Sequence, residues 1–222
     1  LIFYYRIDIT SLEKWENLLS DGEFIMFHVF GNVNFDFERY FSLLNTNLLG
    51  KKLIYFERVT STNDVAKKYA KLGEWGLCIL AEEQTEGRGT HGRRWVTYRG
   101  NSIALSIILH PDWIKNVEVV SILISRIIVE TLKKFNVFAD IKFPNDVYLN
   151  GKKIAGVLTE TFYYLGKLQC VVLGIGINLN QEEFDDTLKN IATSVKLETG
   201  IYLKREEFLA LLLNELDTAF LN

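Results

Sequence analysis

Leu149-Asn150-Gly151-Lys152-Lys153-Ile154-Ala155-Gly156 is the stretch that decides how this chain folds. An Asn-Gly pair suits both central positions of a type I′ turn, and here it separates β-prone runs at 147–149 and 153–163. Gly166 marks another hairpin turn before the run 168–179. Upstream lie a short strand near 139–142 and the longest amphipathic helix, 117–135; downstream an amphipathic helix closes the chain at 205–221. Farther toward the N-terminus, 102–109, 77–81 and 52–59 are apolar runs of strand length. Between the last two, the capping-type residues Ser61-Thr62-Asn63-Asp64 open a helical pattern over 65–72. Hairpins beside long helices predict an α+β fold, a mixed or antiparallel sheet with helices packed on it.

The first fifty residues read as a distinct block. Residues 1–9 alternate like a strand, 12–19 have helical spacing, 23–30 are strand-like again, and 35–44 are helical. Two units are therefore expected: an N-terminal α/β extension at 1–50 and a second domain at 51–222. The extension holds three cations (Arg6, Lys14, Arg39) and seven anions (Asp8, Glu13, Glu16, Asp21, Glu23, Asp36, Glu38), hence 3 − 7 = −4. Such a charge suits DNA poorly, and no pair of successive helices forms a helix-turn-helix. The whole chain has 25 Lys and Arg against 28 Asp and Glu, net −3, which also argues against nucleic-acid coating.

Hydrophobic residues make up 48 % of the 222, ample for a packed core. No apolar stretch approaches the ~18 residues that span a bilayer, and the start lacks the basic-then-apolar layout of a secretion signal. Cys78 and Cys170 stand far apart in apolar runs, with no CxxC and no neighbouring His. They read as reduced core residues of a cytoplasmic protein, with neither a disulfide frame nor a dedicated metal site.

The segment richest in chemistry is Gly87-Arg88-Gly89-Thr90-His91-Gly92-Arg93-Arg94-Trp95. It contains a formal G-x-G-x-x-G, but that string binds dinucleotides only when a helix follows directly, and Arg93 to Tyr98 have no helical face. The Lys-Ser/Thr of a P-loop and the downstream lysine of a kinase are missing too. What remains is a cluster of Arg88, Arg93, Arg94 and Arg99 with no acid from 87 to 99. Glycines allow close backbone approach and arginine forks match carboxylate or phosphate oxygens, so the loop is either a ligand clamp or a solvated basic loop.

A second cluster, Lys142-Phe143-Pro144-Asn145-Asp146, runs into the Asn-Gly hairpin. Asn145 and Asp146 suit a turn as readily as a site. Strand alternation groups Lys153 with Ala155 and Val157, and Lys152 with Ile154 and Gly156, without saying which lysine enters a site. Gly156 inside a strand, like the glycines of Gly174-Ile175-Gly176-Ile177-Asn178, points to a close approach by backbone or ligand.

Taken together, these four motifs, in this order and spacing, resemble the catalytic domain of biotin protein ligases over about 52–221. The resemblance implies a ligase that uses ATP and Mg²⁺ to convert biotin to biotinyl-5′-adenylate. Biotin then passes to a lysine of a biotin carboxyl carrier domain of acetyl-CoA carboxylase or a related carboxylase. It implies Arg88 and Lys153 as catalytic cations. Ser61, Thr62, Asn63, Gln84, Gly87, Gly89, Thr90, Arg93, Trp95, Gly156 and Gly176 would line the biotin and adenylate pocket. Lys142, Asn145, Asp146 and Asn178 would sit near the nucleotide and metal, and Gly87, Gly89 and Gly92 would hinge a loop that folds over the intermediate. Thr90 stands where family members commonly carry a second arginine, and Phe143 where tryptophan is usual. Neither the winged helix nor the SH3-like domain of some members is expected, and with them no nucleic-acid or membrane partner; a homodimer is compatible. The neighbouring readings are a lipoate or octanoate ligase of the same superfamily and, from another class, a non-catalytic biotin-binding module.

Overall fold

The computed structural model describes residues 3–6, 25–29 and 34–221. Alternation near the N-terminus is realised as β1 (Phe3–Arg6) and β2 (Ile25–Val29), and the helical spacing of 35–44 as α1 (Phe37–Leu43). The helix expected over 12–19 lies outside the described residues. There follow β3 (Lys52–Val59), α2 (Thr62–Ala70), β4 (Cys78–Gln84), β5 (Ser102–Leu109), α3 (Val117–Lys133), β6 (Asp140–Lys142), β7 (Asp146–Leu149), β8 (Lys152–Tyr164) and β9 (Lys167–Asn178). The chain then forms α4 (Val195–Thr199) and α5 (Arg205–Leu221).

Among the described residues, nine strands form one sheet in the order β1-β2-β3-β4-β5-β9-β8-β7-β6. The pairs from β1 to β4 are parallel and every later pair is antiparallel, so the sheet is mixed, as an α+β fold allows. Asn150 and Gly151 both take positive φ (50° and 81°), which closes β7 onto β8 through the expected turn. The sheet's two faces divide its strands residue by residue. Leu53, Tyr55, Leu80 and Ile107 pack with α1, α3 and α5, whereas Ile54, Ile79, Ile108 and Val172 pack with Ala66, Tyr69 and Ala70 of α2. Covered on both sides, β5 is buried at every position, hence its nearly unbroken apolar run.

Residues 34–50 share the core of the rest. The Asp217 carboxylate of α5 accepts the backbone N–H groups of Asn47, Leu48 and Leu49 at 2.6, 3.0 and 2.8 Å. Asp36 N–H donates to Glu206, Arg39 pairs with Glu207 at 3.1 Å, and Tyr40 is wholly buried.

One expectation about face is corrected. Tyr148 pairs with Lys153 and Val147 with Ala155, so Ile154 is an extra residue on β8. This β-bulge breaks the two-residue period, and Lys153 shares its face with Gly156 rather than with Ala155 and Val157. The cause lies in the chain after β9, which the sequence reading left blank. Lys153 N–H donates to the Ile191 carbonyl at 3.0 Å, and its carbonyl accepts Thr193 N–H at 2.9 Å.

Candidate active site

The start of α2 and strands β4, β8 and β9 frame a cleft of about 460 Å³. Ser61 holds the N-cap position of α2 with extended backbone, but its side chain makes no capping bond and lines the cleft instead. Gln84, at the end of β4, takes over the cap: its Oε1 accepts Thr62 N–H at 2.9 Å and the Thr62 hydroxyl at 3.0 Å. Ser106 bridges Thr62 Oγ1 (2.7 Å) and Asn63 Oδ1 (2.5 Å), and Asn63 Nδ2 donates to Glu160 at 2.6 Å. A buried polar floor costs little once its groups are paired, and these pairs hold Thr62, Asn63, Gln84 and Ser106 in place. Ser106 and Glu160 escaped the sequence reading, because a lone serine in an apolar strand carries no signal of its own.

The strand glycines explain the shape of the floor. A Cβ on Gly174 would lie 2.5 Å from Asn63 Oδ1, one on Gly156 would lie 2.9 Å from Lys153 Nζ, and one on Gly176 would run into the Trp95 indole. Each glycine thus makes room for a side chain of the site itself. Gly156 and Gly176 are paired across β8 and β9, so Lys153 and Trp95 lie in one trough.

The arginine loop is a narrow hairpin, with Trp95 N–H on the Gly87 carbonyl (2.9 Å) and Gly89 N–H on the Arg93 carbonyl (2.7 Å). Of the expected hinges, only Gly92 takes positive φ (71°), beside His91 at 57°. Gly87 is required for close approach, since a Cβ there would strike the Trp95 carbonyl. Arg88 reaches back across the cleft mouth and forms a two-pronged pair with Asp64 of α2, at 2.7 and 2.6 Å. Lys67 joins Asp64 (3.4 Å) to Glu160 (2.8 Å), and Glu160 lies 3.8 Å from Arg88, closing a ring of alternating charges. The Arg88 hydrogen bonds hold the Asp64 carboxyl below the usual carboxylate range, and the same pairing raises Arg88.

Lys153 stands where this cleft meets a second one of about 640 Å³; Trp95, Thr90 and Gly89 also border both. Its Nζ lies 2.6 Å from Asp146 Oδ1 and 5.7 Å from the centre of the Trp95 ring. The second lobe is largely apolar, with Val96, Tyr98, Phe184, Leu188 and Ile191 on its walls. Lys152 points elsewhere and donates to the Lys189 carbonyl at 3.0 Å.

Most of the expected site residues converge on these two lobes. Ser61, Thr62, Asn63, Gln84, Arg88, Asn145, Asp146, Gly156 and Gly176 line the first, and Arg93 and Asn178 the second. Asn145 is pinned by Val157 through its side chain and backbone, at 2.8 and 2.9 Å. Lys142 and Gly87 are not brought in, since neither borders a lobe; Gly87 packs under the Trp95 carbonyl, and the Lys142 ammonium lies over the Tyr148 ring at 4.6 Å. Among the described residues no three or more His, Cys, Asp or Glu side chains gather to hold a metal ion, and Asp146 is the acidic residue lining the first lobe.

Fold and site together define a class: an α+β ligand-binding domain with a glycine-paved cleft, closed at its mouth by an arginine-rich loop. The chain belongs to the Biotin/lipoate A/B protein ligase family, whose model matches residues 55–178, or 178 − 55 + 1 = 124 of the 222. It is 36 % identical over 167 residues to the "Bifunctional ligase/repressor BirA" of Bacillus subtilis, covering 73 % of this chain and 51 % of that protein. It is also 36 % identical over 165 residues to the "Biotin--[acetyl-CoA-carboxylase] ligase" of Paracoccus denitrificans, covering 70 % of this chain and 67 % of that one. Among solved structures, the biotin protein ligase of Aquifex aeolicus in complex with biotin and ATP superposes with a TM-score of 0.66 at 31 % identity, over 77 % of this chain and 70 % of that one. The chain thus spans about half the length of the BirA relative. Among the described residues, no helix is long and apolar enough to cross a membrane.

Proposed function

We propose that this chain activates biotin with ATP, forming biotinyl-5′-adenylate and pyrophosphate, and then transfers biotin to a lysine of a carboxylase carrier domain. The observation that carries this reading is the position of Lys153, on the seam between a hydrogen-bonded polar lobe and an apolar one. The polar lobe takes the acid, with its head group among Ser61, Thr62 and Gln84 and its carboxylate toward Lys153. The apolar lobe takes the nucleotide base against Tyr98, Phe184 and Ile191. The biotin carboxylate oxygen attacks the α-phosphorus, the bond to the bridging oxygen of pyrophosphate breaks, and pyrophosphate leaves. Two anions must meet for this, so a fixed cation at their meeting point lowers the barrier more than it stabilises either reactant alone. Lys153 is that cation; Arg88 is the second, supplied by the loop.

A magnesium ion would enter on the triphosphate and neutralise part of its charge, and Asp146 and Asn145 would be the oxygen donors available to it from the cleft lining. In the second step the neutral amine of the carrier lysine attacks the acyl carbon, AMP departs, and a proton is lost from nitrogen. Since the mixed anhydride hydrolyses readily, a loop that keeps water away has a clear purpose, and the Arg88–Asp64 pair holds the loop at the mouth. The catalytic unit is 51–222, with 34–50 buttressing it through α5. A cytoplasmic setting and a carrier domain as partner are compatible with this chemistry, and the −4 charge of residues 1–50 suits DNA poorly.

ATP–pyrophosphate exchange tests the reading, run separately with biotin, octanoate and lipoate. Exchange with biotin alone is expected. Exchange with a lipoyl-type acid would move the chain to the other branch of its family, and exchange with none would make it a binding module.

A further inference from the structure

The arginine loop has two feet. One leaves β4 at Gln84; the other returns to β5 through residues 98–102, held by charged groups outside both lobes. Glu82 and Arg205 are only 2 % and 4 % exposed and meet at 2.9 Å. Glu82 also accepts Gly100 N–H at 2.8 Å and the Tyr55 hydroxyl at 2.8 Å. Arg205 donates to the carbonyls of Ser102 (3.3 Å) and Asn34, with its guanidinium over the Phe35 ring. A buried ion pair is weak as a source of stability, since well-packed apolar side chains of the same volume often do as well. What this pair does is fix a backbone position.

Gly100 takes φ +73°, and Glu82 holds its N–H. Two residues earlier, Tyr98 N–H is bonded to Ser102 Oγ at 2.8 Å, and the Tyr98 ring meets Phe184 edge-on at 5.3 Å to wall the second lobe. Gln84 shares a strand with Glu82, but its amide is held independently by Thr62. We infer that Glu82 and Arg205 are positioning residues for the nucleotide lobe: they set the foot of the arginine loop and, through it, the Tyr98 wall. The assignment of a nucleotide to that lobe rests on the reading under Proposed function; the effect on the loop does not.

The test uses Glu82→Gln, which keeps shape and removes charge, and Arg205→Lys, which keeps charge and loses the fork. Asp217→Asn serves as control, weakening α5 against residues 47–49 without touching the foot. Tryptic nicking of the native protein between Arg88 and Arg99 reads the loop directly, and should quicken about fivefold in both foot variants but not in the control. In the same variants KM for ATP should rise roughly tenfold while KM for biotin stays within about twofold. Unchanged nicking in foot variants that melt no higher than Asp217→Asn would reduce the pair to a purely structural one and overturn the inference. Equal rises in both KM values would overturn it as well. If Glu82→Gln does not fold, Arg205→Lys carries the same two readouts. Faster nicking in a protein that exchanges pyrophosphate with no acid would leave the loop assignment standing and remove the reading of the lobes.

Discussion

The two lobes of the cleft are built on opposite plans. The first is polar and wired in advance, its hydroxyls and amides bonded to one another through Gln84, Thr62, Ser106, Asn63 and Glu160, with glycines keeping the sheet low beneath them. The second is walled by aromatic and aliphatic side chains from the loop's foot and from residues 184–192, and its definition is mainly shape. A rigid, prewired floor rejects an acid of the wrong shape and leaves the Ser61 hydroxyl, which makes no capping bond, for the right one to satisfy, whereas apolar walls discriminate weakly. The first lobe should therefore set which acid is used, and the second only how tightly the nucleotide sits.

The sharpest division falls at the seam. Lys153→Ala should lower biotin-dependent exchange by at least about 10²-fold, comparable to losing one oxyanion donor, and Arg88→Ala should do likewise. Lys152→Ala should have little effect; a crippled Lys152→Ala beside a normal Lys153→Ala would undo the bulge argument. Next in size, Gly174→Ala should weaken acid binding roughly tenfold, because the Asn63 amide it strikes is tied down at both ends. Gly156→Ala should be milder, since the Lys153 terminus can move aside. Calorimetry with biotin would rank the two.

Phe184→Ala addresses the other lobe. Losing its edge-on contact with Tyr98 should raise KM for ATP about fivefold and leave KM for biotin alone, as aromatic pairs contribute about 0.5–1.5 kcal/mol beyond their buried area. Selectivity for the acid lobe instead would exchange the two assignments.

Thr90→Arg lies between the lobes. A guanidinium offers two charge-assisted bonds to an anion where threonine offers one neutral donor, so release of labelled biotinyl-5′-adenylate should slow roughly fivefold. The gap is partly filled already, because Arg93 Nη2 donates to Thr90 Oγ1 at 2.9 Å. An unchanged release rate would mean that Arg93 suffices.

The smallest effect concerns acid. Asp64 has a lowered pKa, so its pairing with Arg88 is intact above the ordinary carboxylate range and is lost only as pH falls through the lowered value. Carbon NMR titration should place Asp64 below 3.8, its ordinary value, and Arg88→Ala should bring it back up. No change in that variant would break the latch.

Residue patterns made the main strands, the long helices and part of the first lobe legible, though not Ser106, Glu160 or α4. Asn150-Gly151 dictated a hairpin because both residues tolerate positive φ, apolar periods located the long helices, and the motifs gathered Ser61, Gln84, Arg88 and Lys153. Lys142, expected near the nucleotide and metal, borders neither lobe, because a motif gives proximity in the chain and not direction. Which lysine faces the cleft was implied beforehand by family resemblance alone; its physical basis is long-range, since at the Ile154 bulge residues 191–193, some forty positions away, bind the Lys153 backbone. The second lobe and the Glu82–Arg205 clamp were invisible for the same reason. Their residues are ordinary aromatics, aliphatics and one buried ion pair, and burial with a distant partner has no local signature.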